Sequence, residues 1–378
     1  MSVNVIIISD PAKHDYGPSR PPLLLANELS KDNYNVTFIS PVIGLSIRKM
    51  LLEKSIKLVD FGFPDISKDS SKNMFLLWNF ENLIRVMTRK YKRHISDGFR
   101  SDSIVINFSN IAIVESDIWY AQGPFSHAFM DMDWKSYPLQ YLILSHYVLP
   151  IVKLFDIKHV RTMRKLSRLI VANSRFTSSM YESLGINVDC VIHPPIDVNI
   201  FKPLIQNPTE NYVLTYIGKE TDFRVLSELA KHGVNILAFG SKEQVLPKPL
   251  QNNSYFRFIG RVSTEELIKL YSNALYTLFP FTHEPFGYIP LESIACGTPV
   301  ITYNKQGPSE VITHDKTGWL ARDTKELVKI ALDIWRNGYP KKIRTNARKE
   351  SLRFDISNIY PKWKKILNVI LELKGKYL

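Results

Sequence analysis

Two trains of short β-rich segments, separated by a proline-rich stretch, constrain this chain more than any other feature. In the first half, strand-like runs fall at residues 3–8, 36–39, 103–107, 118–121, 169–172 and 188–192, with helical text between them. Then comes "HPPIDVNIFKPLIQNPTENY", with prolines at 194, 195, 203 and 208. Proline can neither feed a β-ladder nor sit comfortably inside a helix, so this stretch reads as a linker. The alternation then restarts at 212–217, 234–239, 256–259, 276–279 and 299–302. Strands alternating with helices build parallel sheets. At 378 residues the chain is too long for one ordinary core, so two doubly wound α/β domains are predicted. The helical text carries its own start signals. In "STEELIKLYSNA", Ser263 or Thr264 can cap a helix with Glu265 or Glu266 in its first turn. The basic amphipathic tail "PKWKKILNVILELKGKYL" reads as a closing helix.

Charge and cysteine usage narrow the class of partner. A net charge of +13 is crowded into "RVMTRKYKRHISDGFR" (85–100) and "KLFDIKHVRTMRKLSR" (153–168). Such surfaces attract nucleic acid, anionic lipid or phosphorylated substrates, and charge alone does not choose among them. Cys190 and Cys296 form neither a disulfide framework nor a zinc spacing, which fits a reducing, cytoplasmic setting. The start, "MSVNVIIISD", reads as a first strand rather than a leader. The greasiest stretch, "YPLQYLILSHYVLPIVKLF" (137–155), is broken by two prolines, Gln140, His146 and Lys153. It suits a helix that is partly core and partly surface, with contact to a lipid interface as the alternative.

The stretch with chemistry in it is "THEPFGYIPLESIACGT" (282–298). A buried strand, "ALYTLFPF", runs into a turn that contains Gly287, and Pro290 begins a short helix that ends at Gly297. Ligands of doubly wound sheets bind at the carboxyl ends of strands, where this turn lies. A helix start offers unpaired N–H groups to phosphate, whereas Glu284 and Glu292 can accept hydrogen bonds from sugar hydroxyls. Phosphate and hydroxyls together describe a sugar nucleotide. A glutamate in a helix's first turn also arises simply to complement the dipole, so the spacing alone decides little.

The longer string "FPFTHEPFGYIPLESIACGTPVITYNKQGPSEVI" resembles the signature of the retaining GT-B glycosyltransferases of family 4 (glycosyl transferases group 1). The resemblance extends to "SYFRFIGRVSTEELIKLYSNA", "IVANSRFT" and "VIHPPIDVNIF". It is strong over residues 165–325 and loose over the first 160. It implies a GT-B fold, two Rossmann-like domains facing each other across a cleft: an acceptor-binding domain at 1–200, a sugar-nucleotide domain at 201–355 and a helix at 356–378 that packs back on the first.

Residue by residue, the resemblance implies that Glu284 binds hydroxyls of the transferred sugar and that the N–H groups of Phe286, Gly287 and Tyr288 meet sugar and phosphate oxygens. Glu292 would hold the ribose, with Arg261 and Val262 near the base. Family members neutralise the diphosphate with an Arg and a Lys about five residues apart after the second domain's first strand. Here "TYIGKETDFRV" places Lys219 and Arg224 there with identities exchanged. Both charges are kept, although the two groups meet phosphate differently. Cations of this kind stabilise the charge that builds on the departing diphosphate. The glutamates are then not the acid and nucleophile of a glycosidase, and neither a cofactor nor a metal is expected.

The first domain departs from the pattern. Its turn after strand one, "DPAKHDYGPSRPP", has Gly17 where family members carry a glycine-rich loop, and Arg20 adds charge there. "DIWYAQGPFSH" resembles the lipid-linked mannosyltransferase branch, with Gln122 in place of a histidine near the acceptor and His127 as a substitute five residues on. Gln122 orients a hydroxyl but does not titrate. Asn173 and Ser174 shape the cleft. Asp131-Met-Asp133 is also an Asp-x-Asp, the metal signature of GT-A enzymes, but a single GT-A sheet leaves the second α/β half unexplained. The expectation is a hexosyltransferase with a nucleotide-diphosphate sugar as donor and a glycan or lipid-phosphate-linked glycan as acceptor. An anionic membrane surface is its further partner, and no nucleic acid. The alternatives are a GT-B-like epimerase or phosphorylase, or a non-catalytic nucleic-acid or membrane-binding protein.

Overall fold

The computed structural model describes residues 3–13, 17–61, 87–95, 103–124, 126, 139–204 and 208–375, with backbone alone for 139–149. Two sheets, entirely parallel, organise them. The first contains β1 (Asn4–Ile8), β2 (Asn35–Ser40), β3 (Lys57–Asp60), β4 (Ser103–Asn107), β5 (Ser116–Ala121), β6 (Ser167–Ala172) and β7 (Cys190–Val191), in the order β3-β2-β1-β4-β5-β6-β7. The second contains β8 (Val213–Ile217), β9 (Ile236–Gly240), β10 (Phe256–Phe258), β11 (Thr277–Phe279), β12 (Val300–Tyr303) and β13 (Gly318–Ala321), in the order β10-β9-β8-β11-β12-β13. The chemistry of the strands explains their parallel pairing. Val5, Ile6, Ile7 and Ile8 are all buried although they point to alternate faces, as helices covering both sides require.

Each sheet reverses its winding next to its first strand, between β1 and β4 and again between β8 and β11. At such a reversal the connections leave the sheet in opposite directions, and a crevice opens beyond the carboxyl ends of the two strands. The linker carries the chain from one sheet to the other, and the chain returns near its end. The two crossings lie side by side: Ile196 N donates to Phe354 O at 2.9 Å and Ile356 N to Ile196 O at 3.0 Å.

The last helix, Ile356–Leu373, starts where Asp355 caps it by accepting from Ser357 N at 2.9 Å. Its apolar face joins the core of the first sheet. Trp363 is 2% exposed, 5.6 Å from the Phe108 ring and 5.4 Å from the Tyr120 ring. Lys364 pairs with Asp32 at 2.8 Å, and Lys374 with the buried Asp117 at 2.6 Å. Trp363→Ala should therefore cost about 3–5 kcal/mol, as large-to-small core changes do. The shift of the denaturant midpoint measures this; a midpoint within error of wild type would mean that the helix contributes little to the first domain.

Candidate active site

The loops after β8 and β11, the strands that flank the second reversal, are joined to each other. Thr221 and Phe281 form an antiparallel bridge, and Thr282 donates to Glu220 O through its N–H (2.9 Å) and its hydroxyl (3.1 Å). This brings Lys219 and Glu220 to the same crevice as Glu284, and Glu220 was not singled out by sequence. Lys219 Nζ lies 3.5 Å from the Glu220 carboxylate. Arg224 stands on the first turn of the helix Phe223–Lys231, its guanidinium set on Asp222 by two hydrogen bonds of 2.8 and 2.9 Å. Asp222 also accepts from Tyr303 and Thr324. The Arg224 side chain is 67% exposed and that of Lys219 44%. Both cations are thus the solvent-facing halves of pairs whose carboxylates are largely enclosed.

The turn that carries Glu284 is pinned from the strand that follows. Gln306 accepts from Glu284 N at 3.0 Å and donates to Thr282 O, while Gly307 N donates to Glu284 O at 3.1 Å. Gly287 adopts φ +104°, a left-handed conformation open to glycine, and caps the helix Tyr288–Ala295. Pro290 is thus the third helical residue rather than the first. It is tolerated because N–H groups of a helix's first turn have no partner to lose. Glu292 correspondingly lies in the second turn, buried at 4% exposure, and does not serve the dipole.

The two carboxylates are held differently. Glu284 Oε1 accepts from Phe286 N at 3.3 Å, so part of the turn's N–H array faces its own side chain. Burial pushes its carboxyl up to about 7; the neighbouring Glu220 adds to this, while the Phe286 and Gly287 N–H groups and His283 oppose it. Glu292 accepts from Arg20 Nη1 at 2.7 Å and from the Tyr271 hydroxyl at 3.1 Å. Tyr216 lies within electrostatic reach of both glutamates. Its ring is 5.4 Å from Phe239 and 5.9 Å from Phe281, and burial, with Glu220 and Glu284 beside it, holds its hydroxyl above the usual phenol range. Arg261, exposed at the end of the β10 loop, acts on Tyr216 in the opposite sense, and Val262 packs against the core beneath. Neither Tyr216 nor Glu220 carries a sequence signal beyond lying at the end of β8.

The first domain closes over this crevice. A side chain at Gly17 would lie 3.5 Å from Tyr288, and one at Gly123 would lie 3.4 Å from Pro285. Gln122, whose amide donates to Phe108 O at 2.9 Å, therefore stands across the gap from the Glu284 turn. Ser174 donates to Pro285 O at 2.6 Å, Tyr288 to Pro195 O at 3.0 Å, and Glu310 accepts from Arg175 N, Phe176 N and His193. The Asn173 side-chain oxygen is buried with no hydrogen-bond partner among the described residues. His127, Asp131 and Asp133 lie outside the described residues.

Residues 201–350, which carry Lys219, Arg224, Arg261, Glu284 and Glu292, match the family model described as Glycosyl transferases group 1. That match spans the second sheet from β8 to β13. A stretch of this chain is 30% identical over 125 residues to an uncharacterized glycosyltransferase of Methanocaldococcus jannaschii, covering 32% of each chain. Matches to curated relatives span only 15% to 40% of those proteins' lengths. Structural likeness reaches further. Sucrose-phosphate synthase from Thermosynechococcus elongatus superposes with a TM-score of 0.73 at 13% identity, covering 98% of this chain and 100% of that one. Anabaena HepE, in complex with UDP and glucose, gives 0.68 at 15% identity over 97% and 100%. The fold is GT-B, with both of its domains present.

Proposed function

We propose that the protein is a retaining glycosyltransferase that takes a hexose from a nucleoside diphosphate sugar to a glycan or lipid-linked glycan. One observation carries the reading. At the reversal of the second sheet, two carboxylates bracket a left-handed glycine turn and a helix start, and two solvent-facing cations stand on the adjoining loop and on the helix that follows it. Glu284 accepts from the sugar's hydroxyls and Glu292 from the ribose, while Lys219 and Arg224 turn to the diphosphate and Arg261 lies towards the base. As the anomeric C–O bond breaks, charge gathers on the β-phosphate, where these cations and the helix start stabilise it. The acceptor hydroxyl enters from the side of Gln122 on the same face, and the departing phosphate takes its proton. No cofactor or metal enters this scheme. UDP and glucose in HepE, a protein of the same fold, support a nucleotide-sugar donor. A panel of UDP-, GDP- and ADP-sugars tests it: the true donor should raise the melting temperature, because it binds only the folded state. No shift with any of them would defeat the reading.

A surface on the helix Leu139–Leu166 supports a membrane-borne acceptor, with the protein peripheral on the cytoplasmic face. Leu154 (68% exposed), Ile151 and Phe155 stand out from it. Leu154 also lines an open groove of about 360 Å³ together with Ile157, Lys158, Arg161, Thr162 and Lys165. Apolar anchors among basic residues fit an anionic lipid surface. No helix among the described residues is long and apolar enough to cross a membrane. The protein should cosediment with phosphatidylserine-containing liposomes at low salt and leave them at high salt; failure to bind at low salt removes the membrane from the proposal.

A further inference from the structure

Glu292 is held from two directions by two domains. Tyr271, from its own domain, donates to Oε2, and Arg20, from the first domain, donates to Oε1. The ion pair is enclosed, with side-chain exposures of 9% and 5%. The Arg20 guanidinium also lies 4.6 Å from the Tyr288 ring centre and 5.2 Å from that of Phe201 in the linker. Arg20 opens the helix Arg20–Lys31. A cation there opposes the helix dipole, and burying a guanidinium is costly unless it is paired. Helix stability therefore explains neither its position nor its burial. Its geometry has a clear consequence at Glu292. These two donors, on different oxygens, fix the plane of the carboxylate, whose oxygens together accept up to about four hydrogen bonds. Two adjacent hydroxyls match such a fixed pair of acceptors.

We propose that Arg20 is a positioning residue for the nucleotide. It orients the Glu292 carboxylate towards the ribose diol, so ribose recognition requires the first domain to be closed on the second. This rests on the donor-site reading above, with Glu292 as the ribose contact. The test uses the full chain and calorimetric affinities for UDP, GDP and ADP, each beside its 2′,3′-dideoxy counterpart. For the diphosphate that binds, loss of the diol should weaken wild type about 10- to 100-fold, as expected for hydrogen bonds to a charged acceptor. Glu292→Ala should bring that ratio close to one. Arg20→Ala should reduce it to within about threefold, and Arg20→Lys, which keeps the charge, should restore part of it. If Arg20→Ala weakens both ligands equally and preserves the ratio, the ion pair merely ties the domains together and the proposal is overturned. If Arg20→Ala does not fold, the lysine variant decides: an unchanged ratio overturns the proposal and a lowered one supports it. A wild-type ratio retained in Glu292→Ala, or no binding of any diphosphate to wild type, overturns the donor-site reading and the proposal with it.

Discussion

Glu284→Gln is expected to lose transfer by about 10²- to 10³-fold, the scale for removing one preorganised polar contact to a transition state. Its affinity for the nucleoside diphosphate should stay within about threefold, since the proposed function assigns the ribose and phosphate contacts to other residues. The same substitution should make the protein more stable at alkaline pH. Burial raises the Glu284 carboxyl from 4.5 to about 7, so the folded protein binds more protons than the unfolded chain between those values. Its contribution to stability is then fully present below pH 4.5 and is lost as pH rises through about 7. Part of the carboxylate remains in contact with water, so the loss amounts to about 1–2 kcal/mol, less than a fully enclosed group would show. Glutamine has no such loss. Melting curves should show the variant about 2–5 °C above wild type at pH 8 and level with it at pH 5. Wild-type kcat/KM should rise with pH through a limb near 7 that the variant lacks, because only the ionised carboxylate accepts from the sugar without donating. Full transfer by the glutamine or alanine variant would overturn the assignment of Glu284 as a sugar contact.

A site that combines instability with function is also one the sequence reveals well. The Glu284 turn, Gly287 and the helix start are close in the chain, so their order already implies a strand end, a left-handed turn and a helix. The central strands were equally legible, since runs of β-branched residues buried on both faces leave few other readings. Two strands were missed, β3 ("KLVD") and β13 ("GWLA"), both four-residue sheet edges. The first has charged ends and the second a glycine, so neither shows periodicity, and pairing with β2 and β12 makes them strands. The environment of the glutamates was illegible for a related reason. Arg20 and Glu292 are 272 residues apart, and Glu220 reaches Glu284 through the Thr221–Phe281 bridge and the Thr282 hydrogen bonds between two loops distant in sequence. Helical spacing likewise could not distinguish a first-turn Glu292 that serves the dipole from a second-turn one buried against the other domain. That distinction depends on where Gly287 ends the turn.

Gly307→Ala is expected to disable transfer by at least about 100-fold although it removes no side chain assigned to the donor. A Cβ at Gly307 would lie 2.2 Å from Pro285 O and 2.3 Å from Phe286 Cα, distances at which backbone must move. Gly307 itself has φ −57° and ψ −41°, which alanine adopts freely, so the effect is crowding and not strain at the substituted residue. The segment displaced is the turn from Glu284 to Gly287, which Gln306 and Gly307 hold by hydrogen bonds. A misplacement of about 1 Å in a reacting geometry costs on the order of 10²-fold. Glu310 lies on the short helix that begins at Pro308, next to Gly307, and holds the backbone of Arg175 and Phe176 in the first domain. Loosening that contact should also lower the melting temperature by several degrees. Gly185→Ala supplies the comparison. At φ +77° with open space around it, it imposes backbone strain of about 1–2 kcal/mol and no crowding near the site. The two variants should therefore separate: both melt earlier, but only Gly307→Ala loses transfer. Equal activity in the two would show that the position of the Glu284 turn does not limit the reaction, and the crowding argument would fail.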